Sequence, residues 1–136
     1  MENLSIKIIE KTPEIINGIP SCSGQIQIGS FSESFIMPLS WWCFKDYEIQ
    51  WAEGIKKIEQ GKPSCLVASM TNPENPMINW WLLYKEGNKI VIRNQILFGK
   101  KWKKILATTT FNPKNCYDFI PTNSKEKVSE WIIEAR

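Results

Sequence analysis

The chain contains no histidine. That absence removes the Ser-His-Asp and Cys-His nucleophilic systems and every imidazole ligand for a metal. Arginine occurs only at positions 93 and 136, so lysine carries nearly all of the positive charge. Bidentate phosphate and base-edge contacts are mostly made by arginine, which disfavours direct nucleic-acid binding. The four cysteines, Cys22, Cys43, Cys65 and Cys116, form no CxxC pair, and without close spacing or histidine a zinc site has no basis. The glycines never assemble into a phosphate-binding loop. No apolar run approaches the roughly 18 residues of a membrane span. The opening MENLSIKIIEKTPEII threads charges through its apolar positions and lacks the apolar centre of a signal peptide. The expectation is a cytoplasmic protein with no membrane partner. In that reducing compartment the cysteines read as small buried thiols, with one disulfide left open.

What is present suits one ordinary domain spanning residues 1–136, with a formal charge of only +3 and seven tryptophans for its core. Leu4, Ile6 and Ile8 alternate with polar residues, and Ile26 and Ile28 do the same, which predicts two strands. The stretch 18–24, with two glycines and a proline, reads as a loop. Residues 30–35 alternate again, with Gly29 as a bulge or bend. Tyr47, Trp51, Ile55 and Ile58 fall at helical spacing, so one amphipathic helix is expected over about 45–60, stopped by Gly61 and Pro63. Gly54 within it reads as a place of close approach to a strand. Cys65 to Met70 reads as a buried strand and 71–77 as a loop. Ile78–Lys85 and Lys89–Leu97 flank Glu86-Gly87-Asn88 as a hairpin. The first hairpin strand is apolar on both faces, which places it centrally. Residues 99–104 read as a basic turn, 105–111 as a Thr-rich strand, 115–120 as a short strand or turn, and 128–133 as a strand or helical turn. The fold class is α+β: mainly antiparallel sheet with one main helix packed on one face.

Few residues suggest chemistry. Cys43 beside Lys45 is a weak nucleophile candidate against the commoner inert cysteine. Asp46, Glu48 and Glu53 near the helix start suit its dipole as well as any acid–base role. Trp102 among Lys100, Lys101, Lys103 and Lys104 admits three readings: a solvated tip that protects a sheet edge, a partner-binding loop, or a phosphate-tracking element with an indole for stacking. The last would make a small nucleic-acid-binding module whose affinity falls steeply with salt. No catalytic, cofactor or metal site is indicated, and an enzyme is not expected.

Several blocks in order carry a further signal. FSESFIMPLSWW (residues 31–42), DYEIQWAEGIKKI (46–58), SCLVAS (64–69), INWWLLYKEGNKI (78–90) and NCYDFIP (115–121) resemble the CdiI-type immunity proteins of bacterial contact-dependent growth inhibition. The resemblance implies a cytoplasmic protein that binds the toxic C-terminal domain of a cognate effector one-to-one and occludes its active site or substrate path. Such toxins are often nucleases, an RNase being expected before a DNase. A nuclease cleft is basic, so acidic residues should face it. Glu33, Asp46, Glu48, Glu53 and Asp118 are the candidates. Lys101 and Trp102 join them if the contacted toxin surface is instead acidic.

Overall fold

A computed structural model describes residues 3–71, 76–121 and 128–135. Its elements run β1 (Leu4–Ile16), β2 (Ile19–Ile28), β3 (Phe31–Pro38), α1 (Phe44–Glu59), β4 (Ser64–Met70), β5 (Met77–Glu86), β6 (Lys89–Phe98), α2 (Lys100–Thr108), a 3-10 turn (Cys116–Phe119) and β7 (Glu130–Glu134). The α+β class holds, and the strands divide between two antiparallel sheets, β1-β2-β3 and β4-β5-β6-β7.

The stretch expected as a loop at 18–24 is instead the start of β2. Asn17 and Gly18 both have positive φ, 51° and 79°. Two left-handed residues in succession make the tight turn whose twist matches a hairpin, so the chain folds straight back and Ile16 pairs with Ile19. Gly29, φ 59°, is a bend between two strands, the second of the two expected forms, and turns β2 into β3. The outer strand β1 slips register at Ile8/Glu10 and Glu10/Glu14. These irregularities and Pro13 discourage a further strand from adding there.

The second sheet is close to the expectation. β5 lies between β4 and β6 and is buried on both faces at Trp80, Trp81, Leu82 and Leu83. Each fully buried Trp removes enough apolar surface to stabilise the fold by about 4–6 kcal/mol, before the entropy of fixing it. The two adjacent indoles point to opposite sides, as strand geometry requires. Trp81 meets Trp131 of β7 at 5.1 Å, and Trp131 meets Phe31 of β3 at 4.7 Å, so this face is covered by the N-terminal sheet. Trp80 lies under Phe111 at 5.9 Å and donates to Gln95 Oε1. Its cover includes the segment after α2. Trp81 Nε1 is the buried side-chain donor left without a partner among the described residues.

The helix α1 seats along β4, the terminal strand of its sheet. Gln50 Nε2 donates to Cys65 O and Gln50 Oε1 accepts from Val67 N–H, both at 2.7 Å. Trp51 Nε1 donates to Val67 O at 2.8 Å, and Tyr47 Oη accepts from Met70 N–H at 3.1 Å. Side chains thus saturate backbone groups that a neighbouring strand would otherwise take. The close approach needs Gly54: a Cβ there would lie 2.5 Å from Cys65 O. The helix ends in a Schellman arrangement, with Lys62 N–H on Lys57 O, Gly61 N–H on Ile58 O, and Gly61 at φ 79°.

The basic turn and the Thr-rich strand expected over 99–111 are one helix, α2, followed by a short connection. Trp102, Ile105 and Leu106, at helical spacing, bury the inner stripe; Leu106 is 7% exposed and Trp102 packs, tilted, against Phe119 at 6.0 Å. Burial of that stripe outweighs the lysines crowded at the helix's positive end. The 115–120 segment is the 3-10 turn, and the tail forms β7 against β6. Most of the expected 71–77 loop lies outside the described residues.

Candidate partner-binding surface

The helix α1 carries two registers. Tyr47, Gln50, Trp51, Gly54 and Ile58 are buried and hold the fold. Ile49, Ala52, Glu53 and Lys56 are exposed, and Glu48 is half-buried beside them. This outer ridge stands between two open grooves of about 530 Å³ each. One is formed with β1, by Ile6, Ile8, Lys11, Glu48 and Ile55. The other is formed with the 113–114 connection, by Ile49, Glu53, Lys56, Lys57 and Lys114. Ile49 is 56% exposed at the crest.

The five acidic candidates do not form one cluster. Glu48 lies 3.9 Å from Lys11, an exposed pair worth little in water. Glu53 is one turn further along α1, next to Lys56 and Lys57. Asp46 accepts from Cys43 N–H at 3.0 Å and so caps α1. Asp118 is exposed on the 3-10 turn, which is tied to α1 because Tyr117 Oη donates to Gln50 O at 3.1 Å. Glu33 sits on β3 between Phe31 and Phe35, on their side of the strand, yet is exposed. Lys101 is exposed on α2, while Trp102 is half-buried against Phe119.

No group of three or more His, Cys, Asp or Glu among the described residues could hold a metal. All four cysteines are free thiols, and only Cys43 is exposed. Cys65 and Cys116 face each other at 3.8 Å in the core, where burial, then the Cys116 sulfur, holds the Cys65 thiol well above its usual pKa. A thiol held protonated is a poor nucleophile. Burial likewise raises the phenols of Tyr47 and Tyr117, both hydrogen-bonded in the α1 interface.

Sequence reasoning passed over one exposed feature. Met77 is paired with Phe98, and Asn79 with Ile96, so Met77, Ile96 and Phe98 share one face at one end of the second sheet. They are 46%, 47% and 70% exposed. The signal was available: the hairpin stays apolar on both faces beyond the length a five-residue β7 covers.

Known proteins share this architecture. The family model of the CdiI N-terminal domain matches residues 37–136. The Immunity protein CdiI of Enterobacter cloacae subsp. cloacae is 31% identical over 113 residues, which is 78% of this chain and 74% of that protein. A solved chain from a CdiA-CT/CdiI toxin and immunity complex of Enterobacter cloacae superposes with a TM-score of 0.75 at 27% identity, over 96% of this chain and 90% of that one. By family model, sequence and fold together, the chain belongs to the CdiI family of contact-dependent growth inhibition immunity proteins.

Proposed function

We propose that this chain is a stoichiometric inhibitor. It binds the toxic C-terminal domain of its own system's effector one-to-one in the bacterial cytoplasm and occludes that domain's active site or substrate path, without turnover. The observation that carries this reading is the TM-score of 0.75 to a chain of a toxin and immunity complex. The absence of histidine and the buried Cys65 thiol, whose pKa is held well above its usual value, agree with a role in binding rather than catalysis. Residues 1–136 act as one domain in this reading, supported by a single hydrophobic cluster that joins both sheets and α1.

The toxin is taken to be a nuclease, with RNA its substrate before DNA. A phosphate-binding cleft is basic, and Glu48 and Glu53 of the outer ridge of α1 are assigned to meet it, with Glu33 on β3 and Asp118 on the 3-10 turn as further acidic candidates. Asp46 contributes through the cap it already makes, and Lys101 and Trp102 lie at the margin. The test is titration calorimetry with the toxin domain encoded beside this chain. Wild type should bind with nanomolar affinity, about −12 kcal/mol. Glu48→Lys with Glu53→Lys should weaken binding by about 100-fold or more, since close charge pairs at interfaces couple by about 1.5–7 kcal/mol. An unchanged dissociation constant would remove the α1 ridge from the interface. A toxin domain that leaves both RNA and DNA intact would refute the nuclease assignment.

A further inference from the structure

We infer that the partner is anchored at the uncovered corner of the four-stranded sheet, where Met77, Ile96 and Phe98 beside the lysine row of α2 take an apolar toxin surface rimmed with carboxylates. The three side chains lie on the face that is the core elsewhere. Further along that face, Trp81 and Ile92 are roofed by Trp131 of β7 and, beyond it, by Phe31. Among the described residues β7 pairs with Lys89–Arg93, and Asn94 N–H donates to Ser129 O at 3.1 Å, still short of the corner. Asn94 Nδ2 donates to Asn79 Oδ1 at 2.7 Å, a polar border between the roofed and bare parts. Phe98 at 70% exposure, with Met77 and Ile96 against it, is the kind of apolar group that marks an association site rather than scattered surface hydrophobics.

Charge identifies the occupant. Two residues after Phe98 the chain enters α2, where Lys100, Lys101, Lys103 and Lys104 are all exposed and no acidic residue occurs. At three- and four-residue spacing these ammonium groups repel one another, a cost that carboxylates on a bound surface relieve. An aromatic, Met and aliphatic centre with a charged margin is the composition of a protein interface. Nucleic acid fits less well: the row has no arginine, and its Trp102 is half-buried against Phe119.

Because this assignment presupposes the toxin as partner, the experiment separates the two ideas. The full chain and its cognate toxin domain are titrated by calorimetry, using wild type, Met77→Ala with Phe98→Ala, Lys101→Glu with Lys104→Glu, and Ile15→Ala as an exposed control on β1. Thermal melts check that every variant folds. The alanine pair should bind at least 100-fold more weakly. The charge-reversed pair should bind about 10-fold more weakly, with the deficit shrinking at high salt. Ile15→Ala should bind like wild type. Wild-type binding with no loss in either pair overturns the corner and leaves the immunity reading standing. A wild-type dimer dispersed by Phe98→Ala, with toxin affinity unchanged, assigns the corner to a second copy and overturns it as well. Salt-sensitive binding of an RNA oligonucleotide, lost in the charge-reversed pair while toxin affinity is kept, also overturns it. Failure of wild type to bind the toxin removes the immunity reading and this inference together.

Discussion

Replacing Gln50 with Leu tests whether α1 holds the terminal strand by hydrogen bonds or only by apolar contact. The amide is fully buried and serves three partners: Cys65 O, Val67 N–H and Tyr117 Oη. Leucine fills nearly the same volume but strands the two backbone groups. Each buried unsatisfied group costs about 1–3 kcal/mol, so the gross penalty is about 2–6 kcal/mol. Added apolar burial offsets about 1–2 kcal/mol of that. The net expectation is about 3 kcal/mol, which for a chain of this length lowers Tm by roughly 10–15 °C. Urea unfolding followed by circular dichroism measures the free energy directly. Gln50→Glu sharpens the test. A carboxylate can still accept from Val67 N–H but donates to Cys65 O only when protonated. Burial raises its folded pKa above the unfolded value of about 4.3. Its best stability therefore lies below about pH 4 and is lost as pH rises through the folded pKa. A loss under about 1 kcal/mol in Gln50→Leu, together with a Gln50→Glu stability that is flat from pH 4 to 8, would refute the hydrogen-bonded edge.

Gly54→Ala should destabilise by more than about 2 kcal/mol in the same urea assay, despite alanine's better helix propensity of about 1 kcal/mol, because its Cβ meets Cys65 O at 2.5 Å; a neutral or stabilising result would mean that α1 can lift from β4 freely. Iodoacetamide at pH 8 should label Cys43 quickly and Cys22, Cys65 and Cys116 only on unfolding, as their burial dictates, and intact-mass spectrometry counts the adducts; rapid double labelling of the native protein would contradict it. Stability should fall on the alkaline side. The phenols of Tyr47 and Tyr117 titrate above their ordinary value of about 10 in the fold. Their contribution is complete below pH 10 and lost as pH rises towards the folded values. Urea midpoints measured between pH 8 and 11 would show this, and a midpoint that holds constant to pH 11 would contradict the burial of both hydroxyls.

The parts of the fold that could be read from the residues are those where one periodicity dominates. The β5–β6 hairpin and α1 came out within a residue or two because strand alternation and the 3.6-residue stripe were uninterrupted. Two stretches misled for opposite reasons. Between 18 and 24, glycine and proline outweighed the Asn17-Gly18 pair, a hairpin signal in its own right. Around 99–108, lysines at the start and threonines at the end hid a short apolar stripe that matters only because Phe119 and β6 receive it. The division into two sheets could not be read at all, since pairing partners far apart in sequence leave no local mark. The candidate site was legible only as a set of residue types. The family resemblance pointed to acidic residues, but the sequence could not say that Asp46 is occupied in capping or that Phe98 is bare.

The split personality of α1 has a consequence for how such proteins diversify. The positions that fasten the helix to β4 recur on one stripe, and the positions open to solvent interleave with them on another. Substitutions on the open stripe leave the edge-saturating hydrogen bonds untouched and should cost little stability. On the reading proposed above, a lineage could rewrite residues 48, 49, 52, 53 and 56 to follow a changing toxin while residues 47, 50, 51, 54 and 58 keep the fold. Recognition and folding would then be encoded on interleaved stripes of one helix, so an arms race over specificity could proceed without passing through unfolded intermediates.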